Sequence, residues 1–121
     1  MTFEEIKVIL SQITDPADRL EFVMDIGKAL PGIPPDVIGT EIKGCASKVE
    51  IYKDKNNNYY GAADSSLVRG VLAIILSMVQ GKARAAIIQI NPMQKFENLN
   101  LGLGAGRMNG VNGIIEFLEK E

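Results

Sequence analysis

Apolar positions near the start of the chain recur three and four residues apart. Phe3, Ile6, Ile9, Leu10 and Ile13 form one such set, and the spacing predicts an amphipathic helix from Thr2 to about Ile13. Thr2 and Glu5 stand at the two positions of a capping box. Thr14-Asp15-Pro16 reads as a stop and a restart, with Asp15 as N-cap and Pro16 at the first helical position. The second helix is expected to reach about Leu30. Leu20, Val23, Met24 and Leu30 lie on one side and Phe22, Ile26 and Ala29 on the other, so it should be covered on more than one face. Gly27 lowers helix propensity inside it.

The pattern then changes period. Pro31-Gly32-Ile33-Pro34-Pro35 cannot be regular helix or central strand and reads as a loop. Val49 to Lys53 alternates apolar and polar, as a half-buried strand does. Asp54-Lys55-Asn56-Asn57-Asn58 is turn chemistry, and Tyr59 to Ala63 returns as the antiparallel partner. A short strand or bulge over Lys43 to Cys45 would precede this hairpin. Asp64 or Ser65 then caps a helix that is apolar nearly all round, from Leu67 through Val71, Leu72, Ile74 and Ile75 to Val79. Such a helix belongs at the centre of a core, and Gly81 is a suitable stop. A short helix from Ala83 to Gln89, a break at Pro92 with a turn over Met93 to Phe96, and a last helix from about Arg107 to Leu118 complete the pass. Gly110 and Gly113 in that helix suggest close backbone contact.

Composition narrows what this framework can do. The chain has 121 residues, a net charge of −2, one cysteine and no histidine. Its length is that of one ordinary domain, 1–121. The acidic balance and seven scattered aromatics argue against nucleic acid. The apolar stretch from Val71 to Val79 falls short of the ~20 residues that span a bilayer. The N-terminus lacks the basic-then-apolar order of a signal peptide. The expectation is a cytoplasmic protein in which a free thiol stays reduced. A lone cysteine makes no internal disulfide and provides too few ligands for zinc or an iron–sulfur cluster. Without histidine there is no imidazole base for a hydrolase. The economical candidate for chemistry is therefore the Cys45 thiol. Gly44 permits tight approach there, and Lys43 and Lys48 would favour the thiolate if they faced it. The plain alternatives are a buried structural cysteine and two solvated lysines. Leu101-Gly102-Leu103-Gly104-Ala105-Gly106 lacks both the preceding strand and the Gly-Lys-Ser/Thr of a phosphate loop. Asp64 is most simply a helix cap, whereas Arg107 is poorly placed at a helix N-terminus.

Several segments together carry a resemblance. They are Ile42-Lys43-Gly44-Cys45-Ala46-Ser47-Lys48-Val49; Asp64 followed by the helix bearing Arg69-Gly70; and Leu101-Gly102-Leu103 ahead of Gly106-Arg107-Met108-Asn109-Gly110-Val111. With Asp18-Arg19-Leu20 and Ile26 to Pro31, this ordered set resembles the SufE family of sulfur-acceptor proteins, including its CsdE-like branch. The departures are Glu50 where an aromatic is usual, Gly106 for serine and Val111 for leucine. The resemblance implies an α+β fold, a small antiparallel sheet of two or three strands against several helices, SufE/NifU-like. It implies that Cys45 takes persulfide sulfur from a cysteine desulfurase (SufS/CsdA-like) and delivers it to an iron–sulfur scaffold complex (SufBCD-like). Gly44, Ser47, Asp64 and Arg107 would serve the loop or docking. The chain would be a sulfur carrier rather than an independent enzyme, with no metal or cofactor beyond the transient persulfide, since pyridoxal phosphate belongs to the desulfurase. A desulfurase-binding adaptor that carries no sulfur, and a single-cysteine redox sensor, remain as alternatives.

Overall fold

The structure is a computed structural model and describes residues 1–42 and 48–120. Helix α1 spans Phe3–Gln12 and α2 spans Pro16–Gly27. Thr2 and Glu5 form the expected capping box, and the Asp15 carboxylate accepts from the N–H groups of Ala17 and Asp18. Helix α2 ends at Gly27, three residues before Leu30, and Lys28 to Leu30 form a turn closed by Leu30 N–H donating to Gly27 O.

Three strands follow, β1 Ile38–Glu41, β2 Val49–Lys53 and β3 Tyr59–Ala63, in the order β1-β2-β3, with both pairs antiparallel. The β2–β3 hairpin has the bounds its alternation predicts. Its turn is held by the Asp54 carboxylate, which accepts from the N–H groups of Asn56 and Asn58 and from the Asn58 side-chain amide. The first strand stands earlier than the sequence suggests. Residues 38–41 form it, whereas the expected strand or bulge at Lys43 to Cys45 lies outside the described residues. Ile38-Gly39-Thr40-Glu41 carries a glycine and only one large apolar residue, so local pattern gives little sign of pairing with β2.

Helix α3, Ser66–Val79, is the centre of the core. Leu72, Ile74, Ile75 and Val79 are fully buried, each contributing roughly 1.5–3 kcal/mol by leaving water. It packs on α2, β3 and α1, and on α5 and α6 below. Its N-cap is Ser65, whose hydroxyl accepts from Val68 N–H at 3.4 Å. Past its end Gly81 takes φ +74°, as anticipated for a stop.

Helix α4, Arg84–Ile90, and α5, Pro92–Glu97, share one residue between them. Asn91, at φ 50°, ends α4 in the left-handed conformation, and its side chain accepts from Gln94 N–H to begin α5. The turn expected over Met93 to Phe96 is therefore a short helix. Pro92 starts it rather than breaking the chain, because the first helical position requires no N–H. Helix α6, Ala105–Lys120, begins two residues before Arg107 and buries Val111, Ile114, Ile115 and Leu118. Its C-terminal Lys120 carbonyl accepts from the Arg84 guanidinium. No single helix among the described residues is long and apolar enough to cross a membrane.

Candidate functional site

The segment bearing the thiol joins β1 to β2. Its two described ends are tied together: Ile42 N–H donates to Val49 O at 2.8 Å. Both residues are buried in the core, Ile42 at 6% exposure and Val49 at 0%. Pairing of Glu41 with Glu50, Thr40 with Ile51 and Ile38 with Lys53 continues the ladder away from them. The alternation Val49-Ile51 inward and Glu50-Tyr52 outward fixes this register, since a slip by one residue would turn the apolar pair to solvent. Ile42 and Val49, which flank residues 43–47 in sequence, are thus a hydrogen-bonded, buried pair. Gly44, Cys45 and Ser47 themselves, together with Lys43, lie outside the described residues.

Asp64 stands beside this connection. Its backbone N–H donates to Lys48 O at 3.4 Å, directly after β3. The helix cap falls to Ser65, so the Asp64 side chain has no capping duty. Lys48 is exposed. Arg107 lies in the first turn of α6, exposed, where its charge opposes the helix dipole as the sequence indicates. No hydrogen bond or ion pair joins Arg107 to Asp64 among the described residues. Of the five residues assigned to the site, the structure brings Asp64 to the flank of the thiol segment and leaves Arg107 on a separate element.

Arg69 is the residue to which sequence reasoning gave no role. It sits in the early turns of α3, and its Nε is buried without a hydrogen-bond partner among the described residues. A buried donor left unpaired is costly, on the order of 1–3 kcal/mol, and calls for an explanation. The signal available in the sequence was a basic residue near a helix N-terminus. The following glycine has a packing reason. A Cβ on Gly70 would lie 2.0 Å from Val23 O, and one on Gly27 would lie 2.6 Å from Gly70 N. Helices α2 and α3 therefore touch backbone to backbone.

No group of three or more His, Cys, Asp or Glu residues among the described residues is arranged to hold a metal ion. A mostly apolar cleft of about 350 Å³ lies between α1, α2 and α3, lined by Ile6, Phe22, Ile26, Leu30, Leu76 and Tyr59 among others. Burial there raises the Tyr59 phenol above its ordinary pKa, and its O–H donates to Lys82 O at 2.9 Å.

Comparison with known proteins bears on these observations directly. The family model for the SufE domain, described as an Fe–S metabolism associated domain, matches residues 4–121. The chain is 28% identical over 126 residues to the sulfur acceptor protein CsdE of Escherichia coli (strain K12), covering 98% of this chain and 86% of that one. It is 30% identical over 115 residues to an uncharacterized SufE-like protein of Rhizobium meliloti (strain 1021), covering 86% and 82% respectively. A solution structure of a hypothetical protein from Thermus thermophilus superposes with a TM-score of 0.79. That pair covers 99% of this chain and 94% of the other at 13% identity, a likeness of fold alone. With nearly the whole chain accounted for by one domain family and a fold to match, the chain belongs to the SufE family.

Proposed function

We propose that this protein is a sulfur acceptor in iron–sulfur metabolism, with the Cys45 sulfur as the accepting atom. The observation that carries the reading is the place of the only cysteine. It lies in the SufE-like segment between Ile42 and Val49, whose ends are pinned by the β1–β2 ladder. In this reading the ladder on either side is the rigid base from which the connection would offer its thiol to a partner.

The chemistry is exchange at sulfur. The Cys45 thiolate attacks the outer sulfur of a persulfide on a cysteine desulfurase. The donor S–S bond breaks, its electron pair leaves on the donor thiolate, and a new S–S bond forms at Cys45. Nothing is oxidised or reduced overall, and thiolate population, leaving-group pKa and access set the rate. The same exchange run onward would deliver sulfur to a scaffold that builds the cluster. One cysteine suits a relay, because a second thiol nearby could attack the persulfide and release its cargo. Gly44 would act as the hinge of the segment. Ser47, Asp64 and Arg107 would serve loop control or docking. Asp64 is the best supported of these, through its bond to Lys48.

The test is mass spectrometry after incubation with a cysteine desulfurase and cysteine. The wild-type chain should gain the mass of sulfur at Cys45, reversibly by reductant. Cys45→Ser should gain none, and Gly44→Val should gain it more slowly with its folding intact. A desulfurase stimulated equally by wild type and Cys45→Ser, with no sulfur on either, would make the protein an adaptor instead. Rapid reaction of Cys45 with peroxide and no dependence on desulfurase would make it a redox sensor.

A further inference from the structure

The two edges of the sheet are treated differently. On the β3 side, the Gln80 side-chain amide bonds both backbone groups of Tyr59. It accepts from Tyr59 N–H at 2.8 Å and donates to Tyr59 O at 2.6 Å. This is how a neighbouring strand would pair. Gly81 N–H closes on Asn57 O at 2.8 Å just beyond. On the β1 side nothing comparable exists among the described residues: β1 pairs with β2 alone. Protein sheets normally protect their edges, because unpaired N–H and C=O groups recruit further strands.

The register shows what this open edge offers. Ile42 N–H donates to Val49 O, so Ile38, Thr40 and Ile42 turn their backbone groups toward β2. By the antiparallel alternation, Gly39 and Glu41 turn theirs to solvent. On the face shared with Ile51 and Tyr59, β1 extends past the cover of α3. Ile38 there is 87% exposed, the most exposed large apolar side chain among the described residues. On the opposite face the Tyr52 ring lies over Gly39: a Cβ at Gly39 would come within 2.3 Å of it. Glu41 stands directly across from Glu50 on that face. Like charges so placed repel, and neither carboxylate is in an ion pair among the described residues.

We propose that the open edge of β1 is a strand-addition site for an extended segment of a partner protein that carries Lys or Arg on one face and apolar residues on the other. A cation opposite Glu41 would meet two carboxylates beside the face of Tyr52. An apolar residue on the other face would cover Ile38. Two neighbouring backbone positions, Gly39 and Glu41, would supply the main-chain bonds, the mode of recognition in which pockets for alternate side chains give specificity. A second copy of this chain fits badly. Antiparallel pairing of two β1 strands would bring both acidic rows together. The inference goes beyond the sulfur reading and does not rest on it, although β1 runs directly into the connection bearing Cys45.

A blocked peptide alternating Val and Lys, titrated to millimolar concentration against the ¹⁵N-labelled full chain, tests it. The Gly39 and Glu41 amides should shift and gain protection from exchange. A peptide alternating Val and Glu should bind at least about tenfold more weakly, because the like charges repel. Glu41→Lys, which leaves Glu50 facing a lysine, should erase that preference. Glu41→Pro removes an N–H that faces solvent, so it should abolish binding with the melting temperature and the β2–β3 amide shifts unchanged. Cys45→Ser should bind as the wild type does, which separates this site from the sulfur reaction. No shift at Gly39 and Glu41, equal binding of both peptides, shifts centred on the cleft between α1 and α2, or a dimer formed through β1 would each overturn the proposal.

Discussion

Gly70 decides how closely α2 and α3 approach. The atom a side chain would strike is the Val23 carbonyl oxygen, 2.0 Å away, part of a helix backbone that cannot swing aside. Gly70→Ala should therefore cost about 3 kcal/mol, at the high end of overpacking effects, read as a lower urea midpoint. Arg69, its neighbour, poses the opposite question. Its buried, unpaired Nε contributes nothing to folding that an apolar side chain of similar length would lose. Arg69→Met is expected to hold or raise stability, by up to about 1 kcal/mol, in thermal unfolding. If sulfur acceptance fell while stability rose, Arg69 would join the functional residues, since sites often keep groups that folding alone would discard. Neither residue's part could be told from the sequence. A glycine in a helix shows only lost propensity, and the partner that forbids a methyl group, Val23, lies on another helix far back along the chain.

Elements with their own local chemistry were the legible ones. The capping box of α1, Asp15-Pro16 before α2 and the alternation of β2 and β3 all act within a few residues, so the sequence displays them. The β2–β3 turn is such a unit and gives a pH prediction. The backbone N–H of Asn58 holds the Asp54 carboxyl below the usual aspartate range, helped by the Asn58 side chain, Asn56 and Tyr60. The folded value thus lies below the unfolded one, which is about 4. Stabilisation by this charge is complete above the unfolded value and is lost as pH falls through the depressed folded value. Amide exchange at Asn56 and Asn58, corrected for its intrinsic pH dependence, should lose protection below about pH 4 in the wild type and keep constant protection over that range in Asp54→Asn. Glu5 and Glu116 are depressed in the same direction, by Thr2 and by Lys120 respectively, so global stability should also weaken with acid in the variant. Two elements stay hidden from local pattern, β1, which carries no sign in the sequence, and α5, which reads there as a turn. The first depends on pairing with a strand that begins only at Val49, beyond the thiol segment. The second is a helix of six residues whose start is set by the left-handed Asn91, and short helices carry too few turns for periodicity to declare them.

At the scale of the molecule, Arg19 joins parts that no local pattern connects. Its guanidinium donates to Leu10 O and Ile13 O at the end of α1 and to Leu99 O, 80 residues along. One planar, always-charged fork meets three carbonyls that helix ends and a loop would otherwise leave short of donors. Arg19→Lys keeps the charge but cannot span the set, and should lower stability by about 2 kcal/mol. Chemical denaturation measures that loss, and exchange should quicken at the end of α1 and around Leu99 together. The family resemblance had marked Asp18-Arg19-Leu20 without saying why.

The sequence by itself determined the helix and hairpin boundaries set by caps and turns, and its composition, with one cysteine and no histidine, left a single thiol as the economical candidate for chemistry. These follow from interactions between near neighbours and from which residue types are present at all. Tertiary structure decided the rest: that Ser65 caps α3 and leaves Asp64 beside Lys48, that Arg107 stands apart, that glycines let two helices meet, and that one sheet edge is closed by Gln80 while the other has no further strand among the described residues. Each depends on groups distant in sequence and adjacent in space, and chain order alone does not encode which distant groups meet.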